Sequence, residues 1–132
     1  MKRICLLALV VGTWPGLGIG QTTEELVNDG QNSDNVLTQS LGYDRKSYSP
    51  LSQIDRQNVQ RLVPIWNTSL MNEQGELAAP AIYNGVMYVI NGRWTFAIDV
   101  ETGRQIWRTP VQLEPDIRRS AINRGAPTIY EG

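Results

Sequence analysis

Residues Ala79–Gly85 read APAIYNG and residues Ala126–Gly132 read APTIYEG, so five of seven positions are identical at an offset of 47 residues. In the first copy an apolar run ends on Asn84-Gly85. This pair is a strong short-range hairpin signal, because both residues accept the positive φ that a type I′ turn requires. The pattern downstream keeps a period of two. It predicts strands over Ala79–Tyr83, Val86–Ile90, Thr95–Asp99 and Arg104–Arg108, with turns at Asn91-Gly92-Arg93 and Val100–Gly103. Four short strands joined by tight turns form an antiparallel meander. Its repetition at a period between about 20 and 50 residues indicates an all-β chain built as part of a β-propeller. One blade cannot bury both of its faces, so it calls for neighbours. The second copy supplies one strand, Ala126–Tyr130, with Glu131-Gly132 at the turn position. The expectation is one full blade and the start of the next, within a protein whose further blades complete the ring.

The chain opens MKRICLLALVVGTWPGLGIGQ. Lys2 and Arg3 give a basic start, Ile4–Val11 an apolar run, and Gly18-Ile19-Gly20 a small-residue exit. That is the layout of a secretory signal peptide over residues 1–20, cleaved before Gln21. The apolar run falls short of the roughly 20 residues that span a bilayer. The expected destination is the periplasm.

Composition excludes several chemistries. Cys5 is the sole cysteine and lies within the signal, and histidine is absent. The mature chain therefore has no disulfide, no Ser-His-Asp or Cys-His catalysis, and none of the usual zinc ligands. Without Lys2 and Arg3, 10 basic residues stand against 13 acidic ones, with no basic block, so nucleic acid is not an expected partner.

Ahead of the repeats, residues 21–70 read as a lead-in with short helices. Thr22-Thr23-Glu24-Glu25 fits a capped helix start in which Glu25 reaches back to the cap. Asp29–Asp34 is a run of turn residues that ends it. Asp55 is placed to cap a second short helix through about Arg61, and Pro64 forbids its continuation. Val63–Leu70 (VPIWNTSL) is a strand candidate.

The third and fourth strands carry a more specific pattern. Ala97-Ile98-Asp99-Val100-Glu101-Thr102-Gly103-Arg104-Gln105-Ile106-Trp107 resembles the tryptophan-docking motif of the quinoprotein dehydrogenases, with Ala97, Gly103 and Trp107 on its signature positions. Gly103 suits a tight turn, Asp99 can bond turn amides, and Trp107 offers a large ring for packing on the next blade. Tyr43, Tyr48-Ser49-Pro50-Leu51, Gln53-Ile54, Asn58-Val59, Leu62 and Pro64-Ile65-Trp66 are similar to the lead-in of that family. The resemblance covers about residues 24–132. It implies an eight-bladed propeller with pyrroloquinoline quinone (PQQ) at its centre, and a strand within 63–70 that completes the last blade.

The resemblance also implies a site. Asn123-Arg124-Gly125 stands where the family carries a tripeptide whose arginine contacts PQQ. A guanidinium suits that role: it is permanently charged, donates paired hydrogen bonds to carboxylate or quinone oxygens, and stabilises charge on a quinone as it is reduced. Many alcohol-oxidising members place two adjacent cysteines five and six residues before that arginine; here those positions are Arg118 and Arg119, so a disulfide lid is impossible. Many also carry a glutamate three residues before the first blade's proline. Leu77 occupies that place and Glu76 lies one residue earlier, as the substitute candidate. Arg124 and Glu76 are thus the candidate cofactor-binding residues. The family's calcium or lanthanide ligands and its catalytic aspartate come from later blades, so this chain is expected to supply no catalytic residue and no metal ligand.

The leading expectation is the N-terminal portion of a periplasmic PQQ-dependent alcohol dehydrogenase, inactive alone. Its implied partners are the remaining blades, a small alcohol, and a cytochrome or quinone that accepts electrons. The alternative is a non-enzymatic propeller of the same repeats acting as an envelope scaffold. Asn123-Arg124-Gly125 and the YSPL lead-in favour the enzyme.

Overall fold

The computed structural model describes residues 20–71, 78–112 and 127–129. Nearly all of the signal peptide lies outside these residues, and only 127–129 of the second copy is described. The meander is present as one four-stranded antiparallel sheet: β1 (Ala81–Tyr83), β2 (Val86–Ile90), β3 (Trp94–Asp99) and β4 (Gln105–Pro110), in spatial order β1-β2-β3-β4. Strand β1 starts two residues later than its apolar pattern suggests, after Pro80, which has no N–H to give to a ladder. Pro110 can end β4 because it sits at the close of an edge strand.

The turns follow from residue chemistry. Asn84 and Gly85 both have positive φ, 49° and 76°, as a type I′ turn requires. At the far hairpin Asp99 Oδ1 accepts from Thr102 N at 2.8 Å and Thr102 Oγ1 at 2.7 Å, and Gly103 follows with φ 70°. A register shift at Ala97/Ile98 leaves Ile106 as the extra residue of β4, a bulge that bends the outer strand.

Register sorts the side chains by face. Ala81 pairs with Tyr88, Tyr88 with Ala97, and Ala97 with Trp107, forming one continuous cross-strand row. The small Ala97, fully buried, lets the Tyr88 and Trp107 rings meet across it at 6.1 Å between centroids. Two signature positions of the motif, Ala97 and Trp107, are therefore direct cross-strand partners. The core comprises Ala81, Phe96, Ala97 and Ile98 of the sheet with Leu37 of the lead-in. Strand β4 is exposed along its whole length, with Trp107 at 43% of its surface.

The lead-in wraps the other edge. Helix α1 (Thr23–Val27) carries the expected capping box, with Glu25 N donating to Thr22 Oγ1 and Thr22 N donating to Glu25 Oε2 at 2.7 Å. Val36 then bridges Ile82 of β1 through two backbone hydrogen bonds of 2.9 and 2.8 Å. An edge that would otherwise invite another chain is thereby partly covered.

One expectation needs correction. The helix proposed from Asp55 is only a 3₁₀ turn, Val59–Arg61. Asp55 Oδ1 does take the amides of Gln57 and Asn58. However, Asn58 turns back to accept from Asp55 N and donate to Gln53 O, and such local side-chain bonds favour a turn over a helix. Val63–Leu70 has no strand partner among the described residues, and the last blade that it is expected to complete is not among them. A strand is defined by its paired neighbour, so its pattern alone does not make one. The segment is tied to the blade by Trp66, whose Nε1 donates to Val100 O at 2.8 Å.

Candidate functional site

The ladder places the β2–β3 turn, the start of β3 and the end of β4 at one end of the sheet, beside the chain entering β1. Asn91 organises this end. Its buried side chain accepts from Arg93 N and Trp94 N at 2.9 and 2.8 Å and donates from Nδ2 to Leu70 O at 2.7 Å. One amide thus closes the turn and anchors the incoming chain, which is why asparagine rather than aspartate suits the position. Val111 N donates to Arg93 O at 2.7 Å, bringing the outgoing chain to the same turn. Beside them the Arg108 guanidinium lies 4.7 Å from the Trp94 ring centre, and Arg108 Nη1 also donates toward Met71 Sδ.

Met71 and Gln112, the last described residues before 72–77 and 113–126, both lie at this end. The candidate residues Glu76 and Arg124 fall in those segments and lie outside the described residues, as do Leu77, Arg118 and Arg119. Asn91 holds the turn and Leu70, Arg108 is turned onto Trp94 and Met71, and Gln21 Nε2 is the only buried side-chain polar atom without a partner among the described residues. Among those residues no cluster of three or more acidic, histidine or cysteine side chains could hold a metal ion.

The opposite end is structural. Asp99 has its carboxyl held below the ordinary carboxylate range, first by the Thr102 hydroxyl and then by the Thr102 amide. Its role as a turn residue is thus visible in its hydrogen bonds. In the lead-in, Asp29 is completely buried and accepts from Leu37 N, Thr38 N and Thr38 Oγ1 at 2.9, 2.8 and 2.6 Å. Sequence reasoning reads Asp29 only as one member of a turn run, since its partners lie eight and nine residues away. Glu25 is lowered mainly by the Thr22 amide of the capping box, while Tyr83, raised chiefly by burial, makes a long 3.3 Å contact to it. A cleft of about 420 Å³ lies in the lead-in against Val27, Leu41, Tyr43, Asp44, Lys46 and Tyr48, away from the Asn91 end.

Residues 40–131 match the family described as glucose/ethanol/alcohol dehydrogenase, β-propeller domain, of the PQQ type. Similar proteins include the quinoprotein alcohol dehydrogenase PedH of Pseudomonas putida, 37% identical over 79% of this chain and 18% of that protein. The 1-butanol dehydrogenase (quinone) of Thauera butanivorans is 35% identical over 98% of this chain and 22% of its own length. Among solved structures, the quinohemoprotein alcohol dehydrogenase of Comamonas testosteroni superposes with a TM-score of 0.61 at 28% identity, covering 74% of this chain and 14% of that one. The chain therefore spans about a fifth of the length of the curated relatives it matches. With its four-stranded meander, its Ala97–Trp107 row and this match over most of its length, the chain belongs to the PQQ-type β-propeller family of the quinoprotein alcohol dehydrogenases.

Proposed function

We propose that this chain is the N-terminal portion of a periplasmic dehydrogenase that oxidises a small alcohol and delivers the electrons to PQQ, then to a cytochrome or quinone. The observation that carries the reading is the family match across 40–131, where the quoted relatives are named as quinoprotein or quinone-linked alcohol dehydrogenases. That naming supports an enzyme over a scaffold of the same repeats. When bound, PQQ supplies the two-electron redox chemistry.

In this reading the described residues build and brace the blade, and residues of the segments that follow Met71 and Gln112 in sequence meet the cofactor. Arg124 would hold PQQ oxygens through paired, charge-assisted hydrogen bonds, and Glu76 would offer a carboxylate nearby. The calcium or lanthanide expected beside PQQ would be held by later blades. The chain alone lacks those blades and is inactive in this reading.

PQQ titration tests it. The 132-residue chain should bind PQQ no better than background, while a protein carrying this segment with the further blades should bind stoichiometrically. In that longer protein Arg124→Ala should weaken PQQ by roughly 10- to 100-fold, in line with loss of a bidentate charged contact. Tight stoichiometric binding by the 132-residue chain would overturn the proposal.

A further inference from the structure

Met71 is bound in an unusual way for an exposed methionine. It is 44% exposed and has φ 66°. Its own amide donates to Ser69 Oγ at 3.1 Å, and the carbonyl of Leu70 before it accepts from buried Asn91. The backbone is therefore fixed, and the side chain ends against Arg108 Nη1. Arg108 is fixed too, by its place opposite Phe96 in the ladder and by its position over Trp94. A thioether sulfur is a weak acceptor, whereas a guanidinium is a strong and permanently charged donor. The donor at this contact is far better than the acceptor it meets.

We propose that Met71 is an oxidative modification site, at which a peroxide converts the thioether to a sulfoxide that stays docked on Arg108. The step balances simply. The sulfur lone pair attacks one oxygen of hydrogen peroxide, the O–O bond breaks as the S–O bond forms, sulfur loses two electrons, and the departing hydroxide takes the proton of the attacked oxygen and leaves as water. Oxidation usually loosens a methionine contact, because a polar group replaces an apolar one. Here the new oxygen faces a cation, and a weak sulfur contact becomes a charge-assisted hydrogen bond. The modification tightens the tie between the chain entering β1 and strand β4. Met87 is the internal comparison: it lies mid-strand in β2, half-buried, between Ile82 and Ile98.

The test treats the purified chain with hydrogen peroxide and follows added oxygen by peptide mass mapping. Met71 should oxidise about tenfold faster than Met87, reflecting exposure. Amide exchange at Leu70 and Met71 should then slow in the oxidised protein, and treatment with methionine sulfoxide reductase should reverse the change. In Arg108→Ala the slowing should disappear. Should that variant fail to fold, Met71→Leu serves, since peroxide must then leave exchange at these positions unchanged. Equal or faster oxidation of Met87, faster exchange after Met71 oxidation, or slowing that persists in Arg108→Ala or Met71→Leu would each overturn the proposal.

Discussion

The indole of Trp66 occupies the space that a side chain on Gly103 would need: a Cβ built there would stand 2.5 Å from Cδ2 of the ring. The same ring donates to Val100 O, while Val100 N donates to Gly85 O at 3.0 Å. One residue of the β3–β4 turn thus joins the lead-in to both hairpins. Gly103 is required twice, for its positive φ and for the ring against it.

Gly85 separates those two requirements, since it shares the positive φ but has nothing within 4 Å of a built Cβ. Gly85→Ala should therefore cost only the left-handed backbone penalty, roughly 1–2 kcal/mol. Gly103→Ala should add an overpacking term of about 1–3 kcal/mol. Urea unfolding followed by tryptophan fluorescence checks the order. Equal losses at the two glycines would mean that the ring yields freely and that the backbone alone explains Gly103.

The hydrogen bond can be tested apart from the packing. Trp66→Phe keeps an aromatic ring but removes the donor to Val100, a loss of about 1 kcal/mol. Because Trp66 and Gly103 touch, combining Trp66→Phe with Gly103→Ala should give a non-additive result in a double-mutant cycle. Additivity within about 0.3 kcal/mol would show that the two positions act independently.

The blade was largely legible in the sequence because its signals are local. Asn84-Gly85 sets its own turn, the period-two runs set the strands, and Asp99, Thr102 and Gly103 close a turn within five residues. The lead-in was less legible because its structure rests on distant partners. Asp29 reaches to Thr38, Val36 to Ile82, and Trp66 to Val100, 34 residues on. The VPIWNTSL segment has the composition of a strand, yet a strand is a property of a pair, and composition says nothing about its partner. The candidate site was legible only through resemblance. An arginine such as Arg124 has no local pattern that distinguishes a cofactor contact from a solvated side chain, and neither it nor Glu76 lies in the described residues.

Asp29 provides the sharpest test of the lead-in. Asp29→Ala would leave Leu37 N, Thr38 N and Thr38 Oγ1 without their acceptor, two of them backbone amides, one buried and one half-buried. Unsatisfied buried donors cost about 1–3 kcal/mol each, so a total loss of roughly 3–5 kcal/mol is expected. Asp29→Asn should also destabilise, because its NH₂ would face another N–H donor. Hydrogen exchange should report loss of protection at Leu37 and Thr38 while β3 amides remain protected. Unchanged exchange there would show that water replaces the carboxylate without cost.

The Asp99 turn predicts a pH dependence with a defined sign. Its folded carboxyl titrates below the ordinary value of 3.8, chiefly because the Thr102 hydroxyl and then the Thr102 amide bond the ionised form. A depressed folded value means that the turn's contribution is fully present above 3.8 and is lost as pH falls through the folded value. Thr102→Val removes the hydroxyl donor and keeps the amide. At neutral pH the variant should be less stable than the parent chain, and the gap should narrow as acid protonates Asp99. Glu25 and Asp44 are lowered as well, by Thr22 and by Lys46 respectively, so both proteins lose stability in acid from those groups. The informative quantity is therefore the difference between variant and parent across the titration, not either curve alone. A difference that stays constant from neutral pH to well below 3.8 would show that Thr102 braces the turn without favouring the charged carboxylate.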